Sequence, residues 1–202
     1  LVYAREAGYI SQDLAEGAIL IVDIGSSTTD FTAVRNLEIR ISDFGQNALG
    51  GGLFDKAILD RTVATHPRHT ELQQIFAAYP VYAAICELEC RKVKEMYFSH
   101  PEMWQDTPAS RSVRLETMPP LYVDIAITPQ VMNELLVTPL PQLHGRSWHV
   151  AFREALLHAK ERMREEQPQL VLLTGGASRM AFTADLCAEV FPHARIVRGA
   201  EP

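Results

Sequence analysis

The apolar, β-branched run Ala18 to Val22 stops abruptly at Asp23, Gly25, Ser26, Ser27, Thr28, Thr29 and Asp30, and the chain turns apolar again only at Phe31. A continuous run of that kind reads as a central strand. The break is therefore a turn between two core strands, and its composition suits an anion. Gly25 is expected to supply a backbone conformation closed to other residues, and Ser26 to Thr29 offer hydroxyls and backbone N–H groups in succession. Asp23 and Asp30 flank the turn. Carboxylates beside a polyphosphate serve chiefly to hold a hydrated divalent cation or orient a water. Taken alone, the same residues also make an ordinary polar hairpin.

Two further glycine turns follow. In "GQNALGGG" a glycine cluster opens a helix, where the positive end of the helix dipole and free N–H groups suit phosphate, although a hinge or tight turn reads equally well. In "LVLLTGGASRM" an apolar strand ends in Gly175 and Gly176. There Gly-Gly lets a ligand approach the backbone, Ser178 is placed to cap the following helix, and Arg179 to cover a planar ring, while a plain strand-to-helix turn remains the alternative.

Around these turns the pattern is that of an α/β chain. Phe31 to Val34 and Glu38 to Ser42 continue the first strand as a meander, and Phe54, Ile58, Leu59 and Val63 take helical spacing after Gly50 to Gly52. The stretches "ATHPRHTELQQIFAAYP" and "FSHPEMWQDTPASR" read as Pro- and His-punctuated loops around one long helix, Tyr82 to Phe98, with Cys86, Cys90, Val93 and Tyr97 on one stripe. Ser112 to Thr117 and Tyr122 to Thr128 alternate like half-buried strands, and Pro129 suits a first helical turn. A second long helix, Val150 to Glu166, carries the stripe Phe152, Ala155, Leu156, Ala159 and Met163. A strand at Leu170 to Thr174, a helix from about Ser178 to Phe191 and a strand at Arg195 to Val197 close a βαβ unit. The organisation expected is one α/β core, 1 to about 52 plus about 137 to 202, with a smaller α+β subdomain, 53 to 136, inserted.

Bulk properties exclude several classes. At 202 residues and 47% hydrophobic content the chain can bury a sizeable core. Its formal charge of −6, from 19 Lys and Arg against 25 Asp and Glu, argues against nucleic-acid and membrane partners. No apolar run approaches the roughly 20 residues of a membrane helix, and a signal peptide's basic start is missing, so a cytoplasmic protein is expected. Three cysteines do not make a disulfide framework. Cys86 and Cys90 are expected to pack in the core, His66 and His69 to be solvated, Trp104 and Trp148 to pack at or below the surface, and "AKERMREEQ" to form a solvated helix face. "LVYAREAGYI" lacks an initiator Met and reads as a helix end at Gly8, so a fragment of a longer protein is expected.

In the order hairpin, Gly-helix, strand-Gly-Gly-helix, the three turns resemble the ATPase domain of the seventy-kilodalton heat-shock chaperones, the DnaK-like members of the actin-like ATPase superfamily. "IVDIGSSTTDFTAV" resembles the family's second phosphate motif, "GQNALGGGLFD" its Gly-Gly and Phe-Asp segment, and "LLTGGASRM" its adenosine motif. The resemblance covers essentially all of the chain but only the second lobe of that domain, the subdomains called IIA and IIB. It implies an actin-like (ribonuclease H-like) core, ATP or ADP with Mg2+ as cofactors, and a nucleotide-driven switch. Residue by residue it implies Asp23 near the magnesium-bound waters and Asp30 as the second acid. Gly25, Ser26, Ser27 and Thr28 become the phosphate-contacting loop, and Gly50 and Gly51 approach phosphates and ribose. Lys94 becomes the ribose-contacting lysine, Gly175, Gly176 and Ser178 line adenosine, and Arg179 packs on the base. The implied partners are the first ATPase lobe of the same chain, a substrate-binding domain, client proteins and a nucleotide-exchange partner.

Departures from the family pattern bear on activity. Ser26 and Ser27 replace two glycines of the loop, narrowing the approach to a phosphate. Thr29 stands where an aromatic is usual, Gly52 and Leu53 where acids are common, and Arg91 where a ribose-binding Glu is expected. Glu89 lies two residues away, roughly 200° around the helix, and does not replace it. Without the catalytic lysine and first phosphate motif of the other lobe, this chain alone is expected to show negligible ATP turnover. Two other readings are a sugar-kinase or exopolyphosphatase-type phosphotransferase of the same superfamily, and a non-hydrolysing actin-like scaffold or pseudo-ATPase. Turnover by the full-length protein, abolished by Asp23→Ala, would exclude the scaffold.

Overall fold

The computed structural model describes residues 17–36, 38–41, 45, 48–164 and 167–199. The expected helix end at Gly8, Ser42 of the third strand and Glu166 at the end of the second long helix lie outside these residues. The chain is mixed α/β with a mixed sheet, and it divides into two compact units, Leu1–Gly51 with Pro139–Pro202, and Gly52–Thr138.

The first unit begins with the meander. Strand β1 (Ala18–Ile24) pairs antiparallel with β2 (Thr29–Arg35) from Ala18↔Arg35 to Ile24↔Thr29, and β2 pairs with β3 (Glu38–Ile41). Leu20, Val22 and Ile24 on one face of β1 are fully buried, as is Ile19 on the other, which is what a continuous apolar run requires.

The second unit starts at α1 (Gly52–Thr65), which buries Phe54, Ile58 and Leu59. Next comes α2 (His69–Ala78), where the sequence reading placed a loop. The histidines and prolines there are not breakers. Pro67 precedes the helix, Pro80 opens the next one at a first-turn position that has no need of an N–H, and Leu72, fully buried, anchors α2. Arg68 pairs with Glu71 across the first turn. His69 is exposed as expected, while His66 is half-buried, its Nε2 bonding Tyr122 O at 3.0 Å and its Nδ1 accepting the Arg68 N–H at 3.0 Å, which assigns the ring proton to Nε2. Helix α3 (Pro80–Ser99) buries the expected stripe Cys86, Cys90, Val93 and Tyr97 against a hairpin of β4 (Ala109–Leu115) and β5 (Leu121–Ile127). Leu115, Leu121, Val123, Ile125 and Ile127 line the same side, each contributing about 1.5–3 kcal/mol of transfer energy. Helix α4 (Pro129–Val137) closes the unit, capped by the Thr128 hydroxyl, which accepts the Val131 N–H at 3.2 Å.

The chain re-enters the first unit through a two-residue ribbon, β6 (Pro139–Leu140) with β7 (Arg146–Ser147), and then α5 (Trp148–Met163), whose Ser147 cap accepts the Val150 N–H at 3.3 Å. Its stripe Phe152, Ala155, Leu156, Ala159 and Met163 is buried. Strand β8 (Leu170–Thr174) matches its expected limits, but the helix expected from Ser178 is split into a single 3-10 turn, Gly176–Arg179, and α6 (Ala181–Val190). Strand β9 (Arg195–Arg198) runs parallel to β8 and completes the sheet order β3-β2-β1-β8-β9. Among the described residues no helix is long and apolar enough to cross a membrane.

Burial also settles the thiols. It pushes Cys86 up to about 11, with Glu89 adding to the shift, and Cys187 up to about 12, and it raises Cys90 further. Folded thiols therefore stay protonated at pH 8, and iodoacetamide is expected to modify none of the three until denaturant is added. Rapid labelling of the folded chain would contradict their burial. Because the folded values lie above the ordinary 9.0, the thiols' contribution to stability is intact below pH 9 and declines as pH rises from there toward the folded values.

Candidate functional site

The parallel register of β1 with β8 sets Asp23 beside Thr174, and the antiparallel register with β2 sets Asp23 beside Asp30. Because side chains alternate along strands, Asp30, Asp23 and Thr174 form one row on one face, at the carboxyl ends of β1 and β8. Open sheets bind ligands at that edge of their parallel strands. Both carboxylates are exposed, and among the described residues neither has an ion-pair partner. Asp30 accepts the Thr28 hydroxyl at 3.0 Å. Like charges directly opposite across a strand pair are destabilising by roughly 0.2–1 kcal/mol, which a cation between them would relieve.

Beyond the row the chain turns at Gly25–Thr28, with the Gly25 N–H donated to Thr28 O at 2.9 Å. Ser26 and Ser27 are exposed at the tip, and Thr28 is half-buried. The reason expected for Gly25 fails. Its φ is not in the left-handed region, and a Cβ there would sit 3.5 Å from Thr28 O, an ordinary contact.

The glycines that the site requires lie elsewhere in the sequence. A Cβ on Gly50 would collide with the carbonyl of Ser26, and one on Gly45 would meet the Asp30 carboxylate and come within 2.9 Å of Thr29 O. Gly175 has φ +82°, and its Cβ would collide with Ile24 O and lie 2.5 Å from Asp23 Oδ1. Three glycines, two from the GQNALGGG segment and one at the end of β8, thus let backbone approach the hairpin and its carboxylates. Gly176 is different, with nothing within 4 Å of a Cβ position.

Hydrogen bonds fix these approaches. Gly51 donates its N–H to Gly25 O at 3.0 Å, so the free donor expected of Gly51 is taken up inside the protein. The Thr29 hydroxyl, on a fully buried side chain, donates to Leu49 O, and the Trp148 indole N–H donates to Gly50 O at 3.3 Å. Ser178 does not cap α6, whose first turn follows Met180 without a side-chain cap. Instead its hydroxyl donates to Gly175 O at 2.7 Å, and the buried Thr183 hydroxyl bonds Ser178 O at 3.1 Å and Met180 O at 2.8 Å. Arg179 is exposed at the end of that turn.

The contacts above bring together Asp23, Asp30, Gly25 to Thr28, Gly50, Gly51, Gly175 and Ser178, and Gly176 and Arg179 belong to the same unit on the turn that follows Gly175. Lys94, a buried residue, belongs to the second unit, where its ammonium lies 2.6 Å from Asp55 Oδ1. Arg91 holds the other oxygen of Asp55 at 3.1 Å, and Glu89 pairs with Lys92 and, at 2.9 Å, with Arg111. Among the described residues no cluster of three or more His, Cys, Asp and Glu side chains is arranged to hold a metal. Two adjacent carboxylates fit a hydrated Mg2+ shared with phosphate oxygens better than a cage made by protein alone.

Thr29, expected among the hydroxyls offered to an anion, is fully buried with its hydroxyl on Leu49 O, and Trp148, expected to pack at or below the surface, is buried with its indole N–H on Gly50 O; it is these two backbone contacts that the sequence does not show. A hydroxyl on the core face of a strand and a buried indole each need an acceptor, and that need was the available signal. A scan against protein-family models finds no match to the chain, and a search of curated proteins finds none either.

Proposed function

We propose that the first unit is the nucleotide-binding lobe of an actin-like ATPase of the heat-shock-chaperone type, acting in the full-length protein as a nucleotide-driven conformational switch. What supports this reading above all is the convergence of the Gly50 and Gly175 turns on the Asp23–Asp30 hairpin, because these are the segments that carry the resemblance. In this reading the tip, Ser26 to Thr28, meets the phosphates. With the N–H groups of Gly25 and Gly51 and the Thr28 hydroxyl already bonded within the protein, the Ser27 hydroxyl at the exposed tip supplies the clearest donor. Asp23 and Asp30 hold water around Mg2+, which supplies charge neutralisation at the phosphates when bound. Gly175 and Gly176 face adenosine and Arg179 covers the base.

Gly176 provides the test. Its backbone conformation needs no glycine and its surroundings are open, so Gly176→Ala is expected to leave the melting midpoint within about 2 °C. Yet the added methyl lies where the nucleotide would approach. Isothermal titration with Mg-ADP should show saturable binding to the unsubstituted chain, weakened about tenfold or more in Gly176→Ala. Equal affinities, or no saturable heat at millimolar Mg-ADP, would remove the reading.

A further inference from the structure

The turn Leu49–Gly51 carries no side chain beyond Leu49 that could hold it in place, yet its backbone is pressed so closely onto the hairpin tip that Gly50 has no room for a Cβ. The hold must come from outside the turn. Three consecutive residues are each tied to a different element: Leu49 O to the Thr29 hydroxyl on β2, Gly50 O to the Trp148 indole at the start of α5, and the Gly51 N–H to Gly25 O in the hairpin. Buried carbonyls of irregular chain need such donors, and here two of the three come from side chains that are themselves fully buried. Trp148 is fixed in turn, stacked on Phe152 with ring centroids 4.8 Å apart and edge-on to Phe182 at 5.4 Å.

We propose that Thr29 and Trp148 are positioning residues that clamp the glycine turn onto the hairpin tip and so set the shape in which that tip receives a polyphosphate. This rests on the phosphate reading of the site. Neither side chain touches the ligand; both act through backbone carbonyls.

Trp148→Phe keeps an aromatic ring between Phe152 and Phe182 and removes the N–H, while Thr29→Val keeps the shape and removes the hydroxyl. Hydrogen exchange of the Gly51 amide is expected to speed up about tenfold in each variant, with the β8 amides unchanged, and Mg-ADP affinity to fall by a similar factor. Thr29→Ser, which keeps the hydroxyl, should restore both. Unchanged Gly51 exchange in both variants overturns the clamp. Faster exchange with unchanged nucleotide affinity overturns the positioning role. If the unsubstituted chain binds no Mg-ADP, the phosphate reading falls and takes the positioning role with it, while Gly51 exchange still decides whether the two side chains hold the turn.

Discussion

Asp55→Asn is expected to lower the melting midpoint of the protein by roughly 10 °C. The carboxylate is 1% exposed and sits on α1, while the Lys94 ammonium 2.6 Å away and the Arg91 guanidinium at 3.1 Å both come from α3. Removing one member of a buried pair leaves the other charge in a poorly solvating place, which costs about 3–5 kcal/mol. At about 2–4 °C per kcal/mol for a protein of this size, that gives the stated shift. Arg91 is half-exposed and recovers much of its solvation in water, so Lys94 carries the loss. Replacing both partners, Asp55→Asn with Lys94→Met, removes the buried ammonium together with the carboxylate and should regain at least half of the lost midpoint. A single substitution that shifts the midpoint by under 2 °C would show that the pair does not join α1 to α3.

The same pair shows what sequence can and cannot reveal. Asp55 and Arg91 lie far apart in the chain, and spacing alone says nothing of their meeting. The stripe of α3 was legible because Cys86, Cys90, Val93 and Tyr97 recur at helical intervals, and β8 because Leu170 to Thr174 is apolar throughout. Helix α2 is hidden in the sequence because its prolines and histidines read as punctuation, although Pro67 and Pro80 both stand where a helix tolerates them. At the candidate site the turns were legible, but the reasons for their glycines were not. In sequence Gly25 reads as needing a special backbone conformation, which it does not have, whereas Gly50 and Gly175 are demanded by chain that reaches them from distant segments. Ser178 was read locally as a helix cap, yet its hydroxyl goes to Gly175 O, holding the turn in which Gly175 meets Asp23.

That last contact makes Gly175→Ala the substitution with the largest expected effect on the site. A φ of +82° with ψ 156° lies in a region that is open essentially to glycine alone, and forcing another residue there costs about 1–3 kcal/mol. The new methyl would also overlap Ile24 O and crowd Asp23 Oδ1, adding about 1–3 kcal/mol of overpacking. The only relief is to move the end of β8 away from the end of β1, which separates Thr174 from Asp23 and opens the row of polar side chains. Unlike Gly176→Ala, one residue further on, Gly175→Ala should therefore lower the melting midpoint by roughly 10 °C and abolish Mg-ADP binding in the same titration. The contrast between neighbouring glycines carries the argument, since both substitutions add one methyl. If Gly175→Ala proved as stable as Gly176→Ala, the close approach of the two strand ends would not be a requirement of the fold, and the row Asp30, Asp23 and Thr174 would lose its structural basis.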